Sequence, residues 1–514
     1  MKRTDSLKRY WQANRFSFFA GVVCALVVHL YFFTNTLPNY DTLVTQHSYN
    51  FGLSLGRWTQ AFGSILSSAY ALPWVTGVLC TVYLGLLCML VTDVLEVRTK
   101  LGQALTCALL TAFPALASYF GFLFIADSGS MGIMLAALAV KLCKDTKWGV
   151  LTGGIVLGFS TGFYQAHLSY GMVLMAVSFA LQILSGKLET PKALVKQALM
   201  YLATAVVGAV SYYVGFRLCL LLTGYVLPDS YQDIGSLLSP SIDLGKSFSV
   251  SWGEVLGNFR SHLPFLRRLR TPLLALSGVA ILGASGTLIC RNRLYKKPLH
   301  LAALALLVPL TAMALTAPSF LSANVGYHSV MRVPWSLLFV GIVPLCERAF
   351  PPVTEGTVRR KGTLFCRMAS LVLTGLLAWN FWIVSNMAYL NMQQRYERDY
   401  ANMVRVLDRL EQREDFSLDT PVVFLGVSEE LTAPLFADEP AIGELTAMDG
   451  PSMLRYPSVY HEFLRYYLGV ELPYAGDEAA VKLAKDSTVQ AMPCWPDKDA
   501  IRNVDGVLVV KMGE

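Results

Sequence analysis

A single carboxylate followed by a single guanidinium is the feature of this sequence with the clearest chemistry. Asp41 lies a few residues beyond the first long apolar segment, and Arg57 follows within the stretch Asn35–Tyr70. A carboxylate near lipid headgroups can accept a proton, and an arginine can bind phosphate through its forked N–H donors. The pair suggests chemistry on a phosphorylated lipid. The alternative interpretation is a solvated loop acid beside an anchoring helix.

The first outer loop, residues 35–72, is predicted to contain an amphipathic helix. Its apolar residues recur at spacings of three and four, and its polar residues fall on the other side. The apolar set is Leu55, Trp58, Phe62, Ile65 and Leu66, and the polar set is Arg57, Gln60, Ser64 and Ser67. Such a helix lies in the membrane interface with its apolar face in lipid.

Composition indicates a polytopic α-helical membrane protein. Of the 514 residues, 54% are hydrophobic and 15% are charged, and the mean hydropathy is +0.47. About eleven apolar runs have roughly the length that crosses a hydrocarbon core. The net charge of +7 arises from basic residues between these runs, so nucleic acid is not an expected partner. The ten cysteines show no metal-ligand spacing and lie mostly in or near the spans.

The distribution of charge predicts the orientation in the membrane. Basic residues precede the first span, which predicts a cytoplasmic N-terminus and places Asp41 on the outer side. The segment Val150–Leu184 has two interpretations: two short spans that turn near Gly162–His167, or a bent, re-entrant pair.

A second domain is predicted after the last span. Residues 1–390 form the membrane domain, and residues 391–514 are richer in charge and lack long apolar runs. Pro421–Gly426 and Gly506–Met512 are predicted strands, and helical patterns lie between them. We therefore expect a small extracytoplasmic mixed α/β domain, large enough for its own core.

A basic cluster lies on the predicted outer side, where positive charge is less common. It comprises Arg260, His262, Arg267, Arg268 and Arg270. It either binds anionic groups such as a lipid phosphate or pairs with acids of its own loop. Those acids are Asp229, Asp233, Asp243 and Glu254.

Further polar residues are predicted to lie at the outer face, where ionisable groups near spans are functional candidates. With Arg57, Arg267 and Arg268 they form the candidate substrate-binding set. They are Asp127, Tyr164, Gln165, His328 and Arg332.

Several short motifs resemble the bacterial serotype-converting glucosyltransferases that modify O-antigen, which are multi-span enzymes of the GT-C type. The motifs are Asn39–Trp58 with its Gly56-Arg57-Trp58 triplet, Phe113-Pro114 through Asp127, Gly162–Ala166, and Arg332–Pro334. The tyrosine-rich helix and strand of Tyr396–Gly426 also fit the pattern.

The resemblance implies an enzyme of the bacterial inner membrane. It would move glucose, or another hexose, from a polyprenyl-phosphate donor to a cell-envelope glycan. GT-C enzymes usually carry the catalytic acid in the first outer loop, which here is Asp41, the expected general base. Arg57 and Arg332 are the first expected ligands of the leaving phosphate, ahead of Arg267 and Arg268.

A metal ion is not favoured by the residues in this loop. Many relatives of the class carry paired acids there, whereas Thr42 follows Asp41 in this chain. One carboxylate is a poor cage for a divalent ion, so no cofactor is expected.

Two other functions stay open at this stage. A transporter or flippase for lipid-linked sugars would place paired ionisable residues within spans, and the nearest candidates are His29, Asp93 and Arg217. A glycan polymerase or ligase would use the same arginine chemistry on a diphosphate-linked oligosaccharide.

Overall fold

The computed structural model describes residues 2–45, 52–227, 244–321, 326–351, 361–427, 436 and 439–513. Part of the first outer loop and the acids Asp229, Asp233 and Asp243 lie outside these ranges. The described chain is mostly helical.

Sixteen helices precede the first strand in the described residues. They are α1 (Lys2–Thr34), α2 (Tyr40–Val44), α3 (Gln60–Gly63), α4 (Pro73–Val94), α5 (Lys100–Ala112), α6 (Pro114–Phe120), α7 (Leu123–Asp145), α8 (Gly149–Phe163), α9 (Ala166–Leu184), α10 (Pro191–Thr223), α11 (Leu244–Gly257), α12 (Arg267–Arg291), α13 (Pro298–Leu315), α14 (Ala317–Leu321), α15 (Ser336–Ala349) and α16 (Lys361–Glu411).

The number of helices that can cross a membrane is close to the prediction. Within the described residues, nine helical segments are long and apolar enough, and the pair α5 and α6, bent by 47°, makes up to ten. Pro114 causes the bend, since it begins α6 and keeps Phe113 in an extended conformation. The predicted count of about eleven also includes α8, which at 15 residues is shorter than the other candidates.

The ambiguous segment Val150–Leu184 forms two helices, α8 and α9, which are separated at Tyr164 and Gln165. Glycines bring α8 into close contact with α10. A Cβ on Gly158 would lie 2.5 Å from the Cβ of Ser211, and one on Gly154 would lie 2.4 Å from a methyl of Val207. This close packing matters because α8 and α10 together hold the loop that carries Arg57.

The first outer loop does not form the predicted continuous amphipathic helix. Its described part contains α2, and residues 52–72 consist of a 3₁₀ turn at Leu53–Leu55, the short α3 and further turns. Phe62, Ile65 and Leu66 are exposed, as an interfacial face requires, but Leu55 is buried in the protein. Gly56 ends the first turn with φ of +69°, and Ser68 and Ala69 also have positive φ, so a helix cannot run through them.

No break in the chain marks the predicted boundary at residue 390. Helix α16 continues from Lys361 to Glu411, a length of about 77 Å at the usual rise per residue. This exceeds the thickness of a bilayer, so the helix projects well beyond the membrane. Its last turns, with Met403, Val406 and Leu410, enter the core of the C-terminal domain.

The C-terminal region is a small α/β unit built on the end of α16. It contains β1 (Val422–Leu425), α17 (Pro440–Gly443), α18 (Pro457–Phe463), α19 (Asp477–Ala484), α20 (Ser487–Gln490), β2 (Ile501–Val504) and β3 (Val507–Lys511). The sheet order is β1-β3-β2, with β1 parallel and β2 antiparallel to β3. Strands β1 and β3 match the predicted strands.

Strand β2 was not predicted, because Ile501–Val504 is short and half polar. The residues that follow it, Asp505 and Gly506, have φ of +52° and +84°. Two such residues form the tight hairpin turn that joins β2 to β3, and Asp-Gly is a strong signal for it.

Candidate active site

Asp41 is presented by the short helix α2, which is packed on the C-terminal domain. The side chain of Asn39 caps this helix by accepting a hydrogen bond from the amide of Thr42 at 2.7 Å. Leu43, with 0% exposure, enters the apolar core formed by residues such as Met453, Leu454 and Val459. The position of Asp41 therefore depends on both ends of the chain.

Arg57 lies in a turn that hydrogen bonds tie to α8, to α10 and to the residue before α9. The side chain of Gln165 donates to the carbonyl of Leu55 at 2.6 Å, and the hydroxyl of Tyr212 donates to the carbonyl of Gly56 at 3.0 Å. The amide of Thr59 donates to the carbonyl of Gly162 at 3.2 Å. The backbone of Gly56 has φ of +69°, a conformation that favours glycine. This accounts for the first residue of the Gly56-Arg57-Trp58 triplet.

Trp58 explains the rest of the triplet. Its indole lies against two glycines, because a Cβ on Gly215 would lie 2.3 Å from Trp58 Cζ2 and one on Gly162 would lie 2.9 Å from Cε2. The ring also contacts Phe159 edge-on, at 5.7 Å between centroids. Trp58 thus anchors the turn on α8 and α10 while its neighbour Arg57 points the other way.

Asp41 and Arg57 line the same cavity, whose volume is about 180 Å³. Most of the wall is aromatic or apolar, and a few polar side chains enter it, as in small-molecule sites generally. The lining residues are Tyr40, Asp41, Leu55, Arg57, Tyr119, Phe122, Phe124, Ile125, Tyr164, His328, Val330 and Thr446.

The carboxyl of Asp41 is perturbed by its surroundings. Burial raises the pKa of Asp41 from 3.8 to about 6, although the positive charges of Arg57 and Arg455 oppose the rise. No ion pair within 4.0 Å joins Asp41 to either arginine in the described structure. The carboxylate is therefore available to a ligand, in an environment that makes it a better base than a solvated aspartate.

The guanidinium of Arg57 stacks on an aromatic wall of the cavity. Its Cζ lies 4.7 Å from the ring centroid of Tyr164. Tyr164 in turn contacts Tyr119 edge-on, with centroids 5.8 Å apart. This contact holds Arg57 at the wall of the cavity that it lines, and a planar guanidinium can bind a phosphate or carboxylate there through two parallel N–H donors.

Two predicted site residues, Asp127 and Gln165, lie outside the cavity. Asp127 is 1% exposed in α7 and accepts a hydrogen bond from the amide of Ser128 at 2.7 Å. The turn at α3 covers this region, since a Cβ on Gly63 would lie 2.6 Å from Ser128. Gln165 holds the Arg57 turn, as described above. Both residues support the site from outside it.

His328 does line the cavity. Burial and the nearby charge of Arg332 lower the pKa of His328 below its ordinary value. The imidazole is therefore neutral at pH 7 and offers one hydrogen-bond donor and one acceptor to a ligand.

Arg332 occupies a different position from the one expected of a phosphate ligand. It is buried, and its Nη1 donates to Glu444 Oε2 and to the carbonyl of His262, both at 3.1 Å, while Nη2 donates to the carbonyl of Tyr327 at 3.3 Å. Arg332 therefore holds the segment before Thr446 against the membrane helices. Its guanidinium contacts protein groups and is not among the residues that line the cavity, and the expected role of Arg332 in binding phosphate stays a prediction.

Arg267 and Arg268 also lie away from the cavity, exposed at the start of α12. Within the described residues, two acids of the C-terminal region meet this basic cluster. Glu439 accepts from the amide of Arg267 at 3.0 Å, and His262 contacts Glu444 at 2.9 Å. Burial raises the pKa of Glu444, but the hydrogen bonds and positive charge of His262 and Arg332 lower it by more. The pKa of Glu444 therefore lies below its ordinary value.

The remaining wall of the cavity was missed by sequence reasoning. Tyr119, Phe122 and Phe124 lie inside the motif Phe113–Asp127, so the motif itself was a signal for them. Thr446 lines the cavity from the other end of the chain, and Arg455, which contacts Tyr40 outside the lining, also comes from that end. No local pattern connects either residue to Asp41.

Residues 30–345 match the family described as Glucosyl transferase GtrII. The match includes Asp41, Arg57, Tyr164 and His328 and ends before Thr446 and Arg455. The sequence has no match among curated proteins and none among solved structures. The family match spans more than half of the 514 residues and covers the first outer loop and most of the cavity wall. The resemblance expected from the short motifs is thus confirmed, and this polytopic membrane chain belongs to the Glucosyl transferase GtrII family.

Proposed function

We propose that this protein transfers glucose, or another hexose, from a polyprenyl-phosphate donor to a cell-envelope glycan such as O-antigen. The enzyme would work at the outer face of a bacterial inner membrane, with its N-terminus in the cytoplasm and its C-terminal domain outside. The observation that carries the proposal is the shared cavity, which is lined by Asp41, Arg57 and several aromatic rings.

The dimensions of the cavity suit one sugar ring. Its volume is about 180 Å³, and a cavity of about 150 Å³ holds benzene in another protein. Tyr119, Phe122 and Phe124 offer flat apolar faces to the C–H face of a hexose. Tyr40, His328 and Thr446 offer hydrogen-bond partners for hydroxyl groups.

The proposed reaction is a single displacement. The carboxylate of Asp41 accepts the proton of an acceptor hydroxyl while that oxygen forms a bond to the anomeric carbon of the donor sugar. The bond between the anomeric carbon and the phosphate oxygen breaks, and its electron pair leaves with the phosphate. The single displacement inverts the anomeric centre.

Arg57 would stabilise the leaving group. The charge on the phosphate changes from −1 to −2 as the bond breaks, so a nearby guanidinium binds the product-like transition state more tightly than the donor. A phosphate monoester leaves without a general acid, so one base and one cation suffice for this scheme.

The test is an in vitro assay with the full-length protein, polyprenyl-phosphate carrying radiolabelled glucose, and envelope glycan, with and without a chelator. We expect label in the glycan, and a loss of at least about 100-fold in the Asp41→Asn variant. Asp419→Asn, at an exposed loop position, is the matched control. Near-normal transfer by the Asp41→Asn protein would overturn the assignment of the base.

The same assay separates the alternatives. Reaction with a diphosphate-linked oligosaccharide instead of the monosaccharide donor would favour a polymerase or ligase. Movement of a lipid-linked sugar across vesicles without a covalent product would favour a flippase. Transfer from another hexose would keep the mechanism and change the sugar.

A variant pair tests the role of Arg57. Arg57→Lys keeps the charge but loses the planar fork and part of the stacking on Tyr164, whereas Arg57→Met loses the charge as well. We expect the turnover number to fall in the order wild type, Arg57→Lys, Arg57→Met, with a total loss of about 100-fold or more. Equal activity of the two variants would exclude a charge-based role.

A further inference from the structure

The C-terminal domain carries a second arginine toward Asp41. Arg455 lies with its Cζ 5.2 Å from the ring centroid of Tyr40, the residue before Asp41. Tyr40 also contacts Tyr456 edge-on, with centroids 6.2 Å apart. Arg455 therefore contacts α2 from the C-terminal domain, whereas Arg57 lies in the loop between α1 and α4.

The conformation of Arg455 is held by its neighbours. Its Nη2 donates to the carbonyl of Asp449 at 3.0 Å and to Asp449 Oδ2 at 3.2 Å. Between them, Gly450 has φ of +79°, and a Cβ there would lie 2.6 Å from Arg455 Nη2. The positive φ favours glycine at this position, and any side chain there would displace the guanidinium of Arg455.

Helix α16 holds both sides of this turn. Arg395, which is 1% exposed, donates to the carbonyls of Ala447 and Asp449 at 2.9 and 2.7 Å. Asp399 accepts from the hydroxyl of Ser452 at 2.7 Å and from the amide of Met453 at 2.8 Å. Buried polar contacts of this kind specify one arrangement of the backbone.

We propose that Arg455 is a positioning residue of the Asp41 site, which places a fixed positive charge beside the carboxylate from the C-terminal domain. The inference rests on the proposed function for its catalytic meaning. In that reaction Arg455 acts through Asp41, keeping the base ionised despite its burial, whereas Arg57 faces the donor phosphate. The C-terminal region, although outside the matched family span, is then part of the catalytic unit.

Other charged and titratable groups around Asp41 also bear on its ionisation. Asp449 partly offsets Arg455, and His328 is neutral at pH 7 as described above. The groups facing Asp41 or lining its cavity are Tyr40 on α2, Arg57 in the outer loop, Tyr119 on α6, Tyr164 before α9, His328 before α15, and Asp449, Arg455 and Tyr456 in the C-terminal region. Arg57 and Arg455 are the two whose charges favour the ionised form of Asp41.

The test compares the pH dependence of transfer in full-length variants. In Arg455→Met, we expect the acidic limb of kcat/KM to move upward by about half a unit to one unit, with near-wild-type rates at pH 8.5. Arg455→Lys should restore most of the wild-type limb. Arg465→Met, an exposed arginine of the same domain, should leave the profile unchanged. A uniform loss at every pH in Arg455→Met, with an unmoved limb, would overturn the proposal.

A second measurement does not depend on activity. The midpoint of thermal unfolding is measured at pH 4 and pH 8 for the wild type, Asp41→Asn, Arg455→Met and the double variant. We expect the effect of Asp41→Asn to depend on Arg455 at pH 8, where the carboxyl is ionised, and not at pH 4. Additive effects at both pH values would overturn the proposal. If the wild type transfers no lipid-linked hexose but this coupling is present, the proposed function fails and the positioning by Arg455 stands.

Discussion

At the scale of single residues, the chemistry of Asp41 results from a competition between burial and positive charge. Burial raises its pKa to about 6, and Arg57 and Arg455 prevent a larger rise. A base with a pKa just below the working pH is ionised yet still accepts a proton readily. Neither a solvated aspartate nor one fully sequestered from water would combine these properties.

The first prediction concerns the pH dependence of transfer. Because the proposed reaction requires ionised Asp41, kcat/KM should rise about tenfold per pH unit below pH 6 and level off above about pH 7. The measurement is the initial rate of label transfer at subsaturating donor between pH 4.5 and 8.5. A profile that levels off near pH 4 would show that Asp41 behaves as a solvated carboxyl.

The second prediction concerns stability. The pKa of Asp41 is raised from 3.8 to about 6, so the folded state holds the proton more tightly than the unfolded state. Ionisation of this carboxyl therefore destabilises the folded protein. The destabilisation is absent below pH 4, grows between about pH 4 and pH 6, and reaches about 3 kcal/mol above pH 6. We expect Asp41→Asn to unfold at an equal or higher temperature than wild type at pH 7.5, with the difference vanishing at pH 4.

The control for this measurement is Asp419→Asn, whose carboxyl is on an exposed loop. Its unfolding temperature should follow the wild type at both pH values. A clear destabilisation by Asp41→Asn at pH 7.5 would mean that Asp41 is a structural carboxylate.

At the scale of elements, the short helix α2 connects the two halves of the molecule. It continues from the first membrane helix, carries Asp41 toward the cavity and inserts Leu43 into the core of the C-terminal domain. A five-residue helix has no stability of its own. Its orientation is therefore set by this insertion and by the Asn39 cap.

The third prediction separates the two faces of α2. Leu43→Ala removes a side chain with 0% exposure and should lower the free energy of unfolding of the domain by about 2–4 kcal/mol. Transfer should fall with it, because Asp41 loses its fixed position. Val44→Ala, at a neighbouring position with 48% exposure, is the matched control and should change neither quantity appreciably. Normal transfer by a folded Leu43→Ala protein would contradict the role given to α2.

At the scale of the whole molecule, α16 joins the membrane helices and the C-terminal domain into one unit. Its membrane part packs on α5 and α15, and its end lies in the domain core. The segment with Ala441, Ile442, Leu445 and Met448 returns from the domain and packs on the membrane core. The hydroxyls of Ser118, Ser329 and Thr446 form a hydrogen-bonded group at this contact, with Ser118 and Ser329 2.6 Å apart.

The fourth prediction concerns the connection between the two parts. Arg395→Met leaves the carbonyls of Ala447 and Asp449 without their donors and should cost about 2 kcal/mol or more. We expect a lower unfolding temperature and faster proteolysis within residues 439–456. Arg405→Met, on the exposed side of the same helix over Trp495, should cost less than about 1 kcal/mol. Equal effects of the two variants would show that the buried arginine has no special part in holding the segment.

Much of this architecture follows from local patterns in the sequence. Apolar runs long enough for a bilayer identify most of the membrane helices, and short apolar runs bounded by proline or glycine identify β1 and β3. The Gly56-Arg57-Trp58 triplet and Asp41 were recognisable because each has a local reason, a tight turn or an acid beside a span. The interfacial helix was predicted wrongly because side-chain periodicity does not register the hydrogen bonds that Gln165 and Tyr212 make to its backbone.

By itself the sequence determined that this is a polytopic membrane protein with an acid and an arginine in its first loop, because hydrophobic length and residue type act locally. Only the tertiary structure decided which of the other candidates meet Asp41. It placed Arg332 on Glu444, buried Asp127 beneath the loop and carried Thr446 and Arg455 to the site from the far end of the chain. The physical reason is that these positions depend on packing between distant segments, and a pairing of that kind leaves no periodicity in the sequence.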